Sequence, residues 1–566
     1  MALRASALRC ASAAFGAVLL AGSALAQPAT AKHHMAATAN PYATDAALAV
    51  LRDGGSAVDA AIAGQMTLAV VEPQSSGLGG GSVLLVWDAR TRHLAFFEGL
   101  SGAPASQASD YAHAPDGTAI PAPALDRSGL TVAVPGTLRT LETVHARYGK
   151  LPWSRLFRDA IALAENGFAM PRYLHTVLLE RKELASKPGF EAYFDANGEP
   201  LAIGAQLTNK PLAQTLRTVA EQGPEALYRG QIAADIVAAV GQGAYPGTMT
   251  TADLAAYTPH ERSPVCLAVF ERRICTAAPP DGGGVALLQQ LSILDREHIG
   301  AQTPGSVEAA HFLLEASRLS QADRRSYMGD PDQVLVPTEG LVDPFYLDDR
   351  ARLVQPDHAM KAVEPGSPPV RHAFLPPSDP EALPATTHLA IVDDDGSAVS
   401  FTTTINLNFG ADIVVDGVVL NDAITNFALR PVVGDIRVPN AAAPGKHPTS
   451  TMSPTIVFGA DGKPELILGA GGAARIIDAV AETITGVLAW HQDIRTAIEQ
   501  PRIGAQNRAE ELERDTPAAA LLDPLVAMGH APKVVVMNAA VQGIAVTPDG
   551  LQGWGDSHRD GVAKGD

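Results

Sequence analysis

Residues 385–406 read ATTHLAIVDDDGSAVSFTTTIN, a stretch with the composition of two β-strands joined by a tight turn. The runs 387–392 and 398–405 are rich in Thr, Val, Ile and Phe, and Asp394-Asp395-Gly396 between them is typical of a hairpin turn. Threonine hydroxyls lie at the start of the first run and at the end of the second, which the strand preference of Thr alone would explain. The stretch therefore predicts a β-hairpin.

The segment before the hairpin suggests a second role for the first threonine. Seven prolines lie between residues 365 and 384, and such a segment forms an extended surface loop rather than a helix or a sheet. Cleavage of the Ala385–Thr386 bond would give Thr386 a free α-amine beside its hydroxyl. Because an α-amine has a pKa near 7.7–8.0, it can act as a general base at neutral pH and activate that hydroxyl.

These residues resemble the start of the small subunit of γ-glutamyltranspeptidases, also called glutathione hydrolases, which are self-processing N-terminal-nucleophile hydrolases. The resemblance rests on Thr386-Thr387-His388, the 393–396 turn and Thr404-x-Asn406, and it extends in the family's order over roughly residues 38–556. The other matching segments are GGSAVDAA (54–61), VEPQSSGLGGG (71–81), AVPG (133–136), YGKLPW (148–153), SPTI (453–456) and RII (475–477).

The resemblance implies a self-cleaving γ-glutamyltransferase or glutathione hydrolase. A large subunit of residues 27–385 and a small subunit of residues 386–566 would form one compact catalytic unit. Thr386 would attack the amide carbonyl of a small-molecule substrate, giving an acyl-Thr386 ester that water or an amine acceptor resolves. The family implies no cofactor for this chemistry.

The resemblance also implies roles for other residues. Thr404 would orient the Thr386 hydroxyl, and Asn406 would bind the α-amino end of the substrate. Ser450 and Thr451 match a hydroxyl pair that holds the substrate carboxylate, with Thr451 in place of a second Ser. The amides of Gly472 and Ala473 would form the oxyanion hole, although a plain strand-to-helix turn also explains this segment.

Three positions depart from the family pattern. Leu100 stands where the family has an Arg that clamps the α-carboxylate, and Ala423 and Asn426 stand where it has an amine-binding Gln and Asp. An Arg–carboxylate pair is bidentate and hard to replace, and the change from Asp to Asn removes a negative charge that would pair with an ammonium. The first alternative is therefore a glutaryl-cephalosporin-type acylase, or an amidase of another acyl group without an amine. The second is a non-catalytic secreted homologue.

The amino terminus predicts export. Residues 1–26 contain two Arg, an apolar run too short to span a membrane, and Ala24-Leu25-Ala26, which together are typical of a cleaved signal peptide. The chain carries a net charge of −19 and shows no basic patch for nucleic acid. We expect a periplasmic or secreted protein with no membrane span and no nucleic-acid partner.

Few residues are candidates for metal ligands or disulfides. No group of Cys and His has the spacing of a metal site, so no metal is expected. Cys266 and Cys275 flank Phe270-Glu271 symmetrically and would face each other in a two-residue hairpin. Whether they form a disulfide stays open at this point, because cross-strand disulfides have strict geometric requirements.

The remaining periodicity predicts the fold class. Helical patterns cover 40–53, 56–71, 136–147, 153–166, 208–221, 230–240, 284–298, 306–326 and 474–490. Strand patterns cover 387–392, 398–405, 412–420, 454–458, 464–469, 533–537 and 542–546. Helices beside stacked antiparallel strands indicate an α+β protein with a four-layer αββα sandwich, which is also the fold that the family resemblance implies.

Overall fold

The computed structural model describes residues 27–114, 116–369, 385–505 and 509–566. The predicted signal peptide and most of the proline-rich loop, residues 370–384, lie outside these ranges. The described chain mixes helices with sheets, and most of its strands form two seven-stranded antiparallel sheets. The α+β class predicted from the sequence is confirmed at this level.

The predicted hairpin lies at the centre of the first sheet. Thr387–Val392 pairs with Ala398–Thr404, with Thr387 opposite Thr403 and Val392 opposite Ala398. Both strands are almost fully buried because each is flanked by further strands. In spatial order the first sheet consists of Val562–Gly565, Met35–Thr38, Thr387–Val392, Ala398–Thr404, Gly81–Asp88, His93–Gly99 and His260–Arg262.

The second sheet packs against the first. Thr387–Val392 contacts Pro464–Gly471 and Ala540–Thr547 across the interface, and Ser400 Oγ donates to the carbonyl of Leu468 at 2.8 Å. In spatial order the second sheet consists of Ala29–Ala31, Gly550–Gly555, Ala540–Thr547, Pro464–Gly471, Thr455–Phe458, Arg272–Thr276 and Val265–Val269. A shared apolar core lies between the two sheets.

Side-chain alternation along the central strand explains why its last four residues, 389–392, are all apolar. Leu389 and Ile391 belong to a core shared with the helix Ala57–Val71, whereas Ala390 and Val392 belong to the core between the sheets. Successive residues of a strand point to opposite faces, so side chains on both faces of this stretch are buried in apolar surroundings. The hairpin is thus held on two sides.

Helices contact each sheet. Pro41–Arg52 and Ala57–Val71 pack on each other, and the second of them lies against the hairpin strands. Ser56 and Asp59 form the expected capping box at its start. Gly283–Arg296 and Arg475–Leu488 contact the second sheet and each other.

Of the other helices, five agree with the predicted patterns to within a few residues, although 153–157 is a 3₁₀ turn before one of them, and eight were not predicted. They are Ala122–Asp126, Thr137–Tyr148, Arg158–Asn166, Arg172–Glu180, Lys210–Gln222, Glu225–Tyr228, Gly230–Val240, Thr251–Ala256, Val307–Tyr327, Thr338–Leu341, Pro344–Ala351, Ile494–Ile498 and Leu522–Ala527. The short strands outside the two large sheets are Phe168–Ala169, Gln206–Leu207, Val414–Val415, Val418–Val419, Val432–Val433, Ile436–Arg437, Ile503–Gly504, Glu511–Glu513 and Lys533–Val535.

Two strand predictions are wrong. The run 412–420 is not one strand, because Asp416 and Gly417 adopt positive φ and fold it into two short strands. The chain does not close with the strand near 542–546 either, since Gly550–Gly555 and Val562–Gly565 follow it. The last of these pairs with Met35–Thr38 from the other end of the chain.

Two further features bear on export. Cys266 and Cys275 lie opposite each other in a hairpin and form a disulfide, which answers the question that the sequence left open. Among the described residues, no helix is long and apolar enough to cross a membrane.

Candidate active site

Thr386 lies immediately before the central strand, with 5% of its surface exposed. Its Oγ1 donates to Thr404 Oγ1 at 2.9 Å, and the same Thr404 oxygen accepts the Asn406 amide at 2.8 Å. This contact follows from the hairpin register, since Thr387 opposite Thr403 makes Thr386 and Thr404 the next pair along. The structure therefore joins the two hydroxyls that the sequence analysis singled out.

The backbone of Thr386 is held on both sides. Its amide donates to the Ser75 carbonyl at 3.2 Å, and its carbonyl accepts from Arg559 Nη1 at 2.5 Å. Ser75 O also accepts the Ile405 amide at 3.1 Å, so one carbonyl fixes both strands of the hairpin. Thr386 has φ +101°, an unfavourable value for a β-branched residue that these contacts must maintain.

The segment predicted to form the oxyanion hole ends the strand Pro464–Gly471. Gly472 has φ +139° and Ala473 has φ +53°, so the chain turns sharply before the helix Arg475–Leu488. Within the described part of the chain, neither of these two amides donates a hydrogen bond. Their availability fits a site for an anion, and Ala473 adopts the left-handed conformation despite its Cβ.

A small pocket brings most of the predicted residues together. It does not include Gly472 or Leu100, and it adds three residues that sequence reasoning missed: Arg324, Thr449 and Ala474. Arg324 lies in the last turn of Val307–Tyr327, where its polar neighbours read as an ordinary helix surface. The predicted residues that line the pocket are Thr386, Thr404, Asn406, Asn426, Ser450, Thr451 and Ala473.

The Ser450–Thr451 hydroxyl pair lies beside the turn between the strand Pro464–Gly471 and the helix Arg475–Leu488. Thr451 Oγ1 donates to the Ala473 carbonyl at 2.9 Å, and Ser450 Oγ accepts the Met452 amide at 3.1 Å. The Ser450 hydroxyl proton has no acceptor among the described residues, so it can donate into the pocket.

Asn406 and Asn426 line one part of the pocket with neutral side-chain amides. Asn406 Nδ2 donates to Thr425 Oγ1 at 2.8 Å and to the Asp422 carbonyl at 3.3 Å, which leaves Oδ1 as an acceptor. Asn426 is half-buried, and its backbone carbonyl accepts from Asn440 Nδ2 at 2.7 Å. The nearby Asp422 carboxyl is buried, which raises its pKa to about 7, and it does not line the pocket.

Two of the expected substrate contacts are not in the pocket. Leu100 lies in the core between the sheets; its amide donates to Glu98 Oε1 at 2.8 Å and its carbonyl accepts from the Tyr257 hydroxyl at 2.6 Å. Ala423 packs with Phe427 in a small apolar cluster. The structure thus places neither side chain where it would contact a substrate bound between Thr386 and Ser450.

Glu98 and His447 form a buried ion pair beside Leu100. His447 Nδ1 lies 2.8 Å from Glu98 Oε1, and Arg262 lies 3.4 Å from Glu98 Oε2. Burial alone would raise the pKa of Glu98 and lower that of His447. Their mutual attraction outweighs this effect, so the pKa of Glu98 lies below its usual value and that of His447 above its usual value.

Comparison with known proteins identifies the family of this chain. The profile of the family described as Gamma-glutamyltranspeptidase matches residues 43–566. The Glutathione hydrolase proenzyme of Bacillus subtilis (strain 168) is 35% identical over 547 residues, which cover 94% of this chain and 92% of that protein. The Acylase ACY 1 proenzyme of Pseudomonas sp. (strain V22) is 33% identical over 539 residues, covering 93% of this chain and 92% of that protein.

A solved structure extends the match to the fold. The cephalosporin acylase from Bacillus halodurans superposes with a TM-score of 0.82 and 26% identity, covering 98% of this chain and 99% of that one. The fold and these matches define the chain as an enzyme of a hydrolase and acyltransferase class. More narrowly, it belongs to the gamma-glutamyltranspeptidase family, which confirms the resemblance found in the sequence.

The Glu98–His447 pair predicts a pH-dependent stability. The contribution of Glu98 is present above its unfolded pKa near 4.5 and is lost as pH falls through the lowered folded value. The contribution of His447 is present below its unfolded pKa near 6.5 and is lost as pH rises through the raised folded value. Both contributions are present between the unfolded pKa values, that is, between about pH 4.5 and pH 6.5. His447→Gln should therefore lower the melting temperature most in this range and progressively less at alkaline pH.

Thermal unfolding of both proteins from pH 5 to 9 measures this difference. His93→Gln is the matched control, because His93 is exposed at the start of the strand that carries Glu98. A difference between wild type and His447→Gln that stays constant with pH would contradict the assignment.

Proposed function

We propose that the chain is a proenzyme that cuts its own Ala385–Thr386 bond and then uses Thr386 as the nucleophile of an amide hydrolase and acyltransferase. The observation that carries the proposal is the Thr386–Thr404 hydroxyl contact at 2.9 Å inside a pocket. The relatives named above are called proenzymes, which supports a precursor that is processed.

The proposed mechanism uses the contacts of Thr386 in turn. After cleavage the Thr386 nitrogen is an α-amine beside the Ser75 carbonyl, and it takes the proton of the hydroxyl as Oγ1 attacks the substrate carbonyl. Thr404 orients Oγ1, and the amides of Gly472 and Ala473 stabilise the tetrahedral oxyanion. The amine product leaves with the proton, and water or a second amine then attacks the acyl-Thr386 ester.

Cleavage would give subunits of residues 27–385 and 386–566. Both large sheets contain strands from each side of residue 386, so the subunits would remain one unit. We infer that the two packed sheets and the helices on them form the four-layer αββα sandwich of N-terminal-nucleophile hydrolases. We further infer a signal peptide in residues 1–26 and a periplasmic or secreted location, to which the Cys266–Cys275 disulfide is suited.

The first substrate class is γ-glutamyl amides, such as glutathione, as the names of most relatives suggest. A second class is favoured by one observation: no carboxylate is present among the described residues that line the pocket, so an α-ammonium would meet only neutral oxygens. Acyl groups without an amine, of the glutaryl type, fit this lining, and acylases are among the similar proteins.

Thr386→Ala should abolish self-cleavage, because it removes the attacking oxygen. Thr387→Ala is the matched control, since the Thr387 hydroxyl is buried next to the Glu72 carboxyl and does not line the pocket. A denaturing gel of the exported proteins should show two chains for wild type and the control, and one for Thr386→Ala. A single full-length chain for wild type would instead favour a non-catalytic homologue.

Thr404→Val should slow both processing and turnover by about a hundredfold, because Thr386 loses the group that orients its hydroxyl. Thr403→Val is the control of equal shape: Thr403 Oγ1 is buried in the same strand without a described partner, so turnover should remain within about twofold of wild type. Equal rates for the two variants would remove Thr404 from the mechanism.

The two substrate classes are separated by γ-glutamyl and glutaryl anilides assayed in parallel on the processed protein. The neutral lining predicts faster release from the glutaryl compound. The α-ammonium of the γ-glutamyl compound would lose its hydration in the pocket and find no negatively charged partner there. Faster release from the γ-glutamyl compound would assign the first class. Two chains on the gel with release from neither compound would show that the enzyme takes a different acyl group.

A further inference from the structure

We propose that Thr425 fixes the Asn406 amide with its oxygen toward the pocket, so that the enzyme selects acyl groups that carry a hydroxyl opposite this oxygen. The inference rests on the proposed function and narrows its substrate class. The γ-glutamyl and glutaryl groups differ at one carbon, which bears an ammonium in the first and only hydrogen in the second. A hydroxyl at this carbon is a third possibility, and the hydrogen bonds around Asn406 favour it.

The first argument is the direction of the Asn406 amide group. Asn406 is buried and lines the pocket, whereas Thr425 and Asp422 do not line it. Asn406 Nδ2 donates to Thr425 Oγ1 at 2.8 Å and to the Asp422 carbonyl at 3.3 Å, so both of its protons are used away from the pocket. Oδ1 is therefore the atom of this amide that a ligand can reach, and it can only accept a hydrogen bond.

The second argument is that Thr425 opposes the reverse orientation of this amide. The Thr425 hydroxyl donates to the Asp422 carbonyl at 2.8 Å, so its proton is in use and its lone pair receives Asn406 Nδ2. If the amide turned over, Oδ1 would face this lone pair and the Asp422 carbonyl, which are both acceptors. A carbonyl can never donate, so the reversed amide would leave oxygens without a partner.

The third argument is that the backbone of Asn406 is held beside the proposed nucleophile. Its amide donates at 2.8 Å to Thr404 Oγ1, the same oxygen that accepts from Thr386. Its φ is +76°, a left-handed conformation that Asn tolerates better than most residues. The following amide, of Leu407, donates to Asp422 Oδ1 at 3.0 Å. These contacts give Oδ1 a defined place next to the reacting hydroxyl.

A hydroxyl is the substituent that suits a fixed, neutral acceptor. A methylene would cover Oδ1 and leave it without a donor, and a ketone would set one acceptor against another. An ammonium could donate, but it would exchange its hydration for a neutral oxygen, since no carboxylate is among the described residues that line the pocket. The neighbouring Asp422 carboxyl is fully buried and accepts the Leu407 amide instead.

The test measures binding of free acids to the exported wild-type protein, so that it does not depend on turnover. Calorimetry compares diacids of equal length that differ only at the carbon beside one carboxylate: glutarate, both enantiomers of 2-hydroxyglutarate, 2-oxoglutarate and glutamate. The better enantiomer of 2-hydroxyglutarate should bind at least about tenfold more tightly than each of the other acids, because its hydroxyl pairs Oδ1 without a charge being desolvated.

Thr425→Val tests the positioning role. It keeps the side-chain shape but removes the acceptor for Nδ2, so the amide can turn and donate to a ketone. The ratio of the affinities for 2-hydroxyglutarate and 2-oxoglutarate should therefore fall at least about threefold. Thr425→Ser keeps the hydroxyl and should hold the ratio within about twofold of wild type. Thr403→Val is the matched control, because it makes the same change at a buried residue that does not line the pocket, and the ratio should not change.

Several results would overturn the proposal. Equal affinity for glutarate and 2-hydroxyglutarate, tighter binding of glutamate or 2-oxoglutarate, or no binding of 2-hydroxyglutarate would each reject the selectivity. An unchanged ratio in Thr425→Val, or an equal fall in Thr425→Ser or Thr403→Val, would remove Thr425 from it. If Thr425→Val fails to fold, Thr425→Ala removes the same acceptor and decides by the same ratio.

Failure of the proposed function would look different. Selective binding of 2-hydroxyglutarate by a protein that releases none of the glutaryl, γ-glutamyl and hydroxyglutaryl anilides would leave the Asn406 site intact and remove the catalytic proposal. Release of these anilides at similar rates, with similar affinities for the free acids, would retain the catalytic proposal and reject the selection of a hydroxyl.

Discussion

The contact between the Thr386 and Thr404 hydroxyls depends on the register of one hairpin, and the rest of the molecule maintains that register. Strand pairing has a period of two, so a shift by a single residue would turn Thr386 toward the opposite face. Helices on one side and a second sheet on the other bury both faces of Thr387–Val392 and exclude such a shift. The Ser75 carbonyl, which accepts amides from both ends of the hairpin, adds a direct restraint.

The pocket combines groups from both halves of the chain. Thr386, Thr404, Asn406, Ser450 and Ala473 follow the proposed cleavage point, whereas Arg324 precedes it. The proposed catalytic residues thus lie on sheet strands and in the loops after them, whereas Arg324 lies on a helix.

The sequence predicted those features that depend on local pattern. The hairpin, the capping box at Ser56 and the α+β class follow from alternation, turn residues and caps, and each is present in the structure. The strand Val562–Gly565 could not be predicted, because its partner Met35–Thr38 lies at the other end of the chain. Leu100 illustrates a third kind of outcome, because a residue's position in a sequence motif does not determine where its side chain points. The Leu100 backbone is hydrogen-bonded to the Glu98 carboxylate and the Tyr257 hydroxyl.

The sharing of both sheets between residues 27–369 and 385–566 has a consequence for folding. An intact precursor closes these sheets within one molecule, where the effective concentration of the two halves is high. If the Ala385–Thr386 bond is cut as proposed, reassembly after complete unfolding becomes a bimolecular reaction that depends on protein concentration. The lifetime of a mature enzyme of this design would then be set by its unfolding rate more than by an equilibrium.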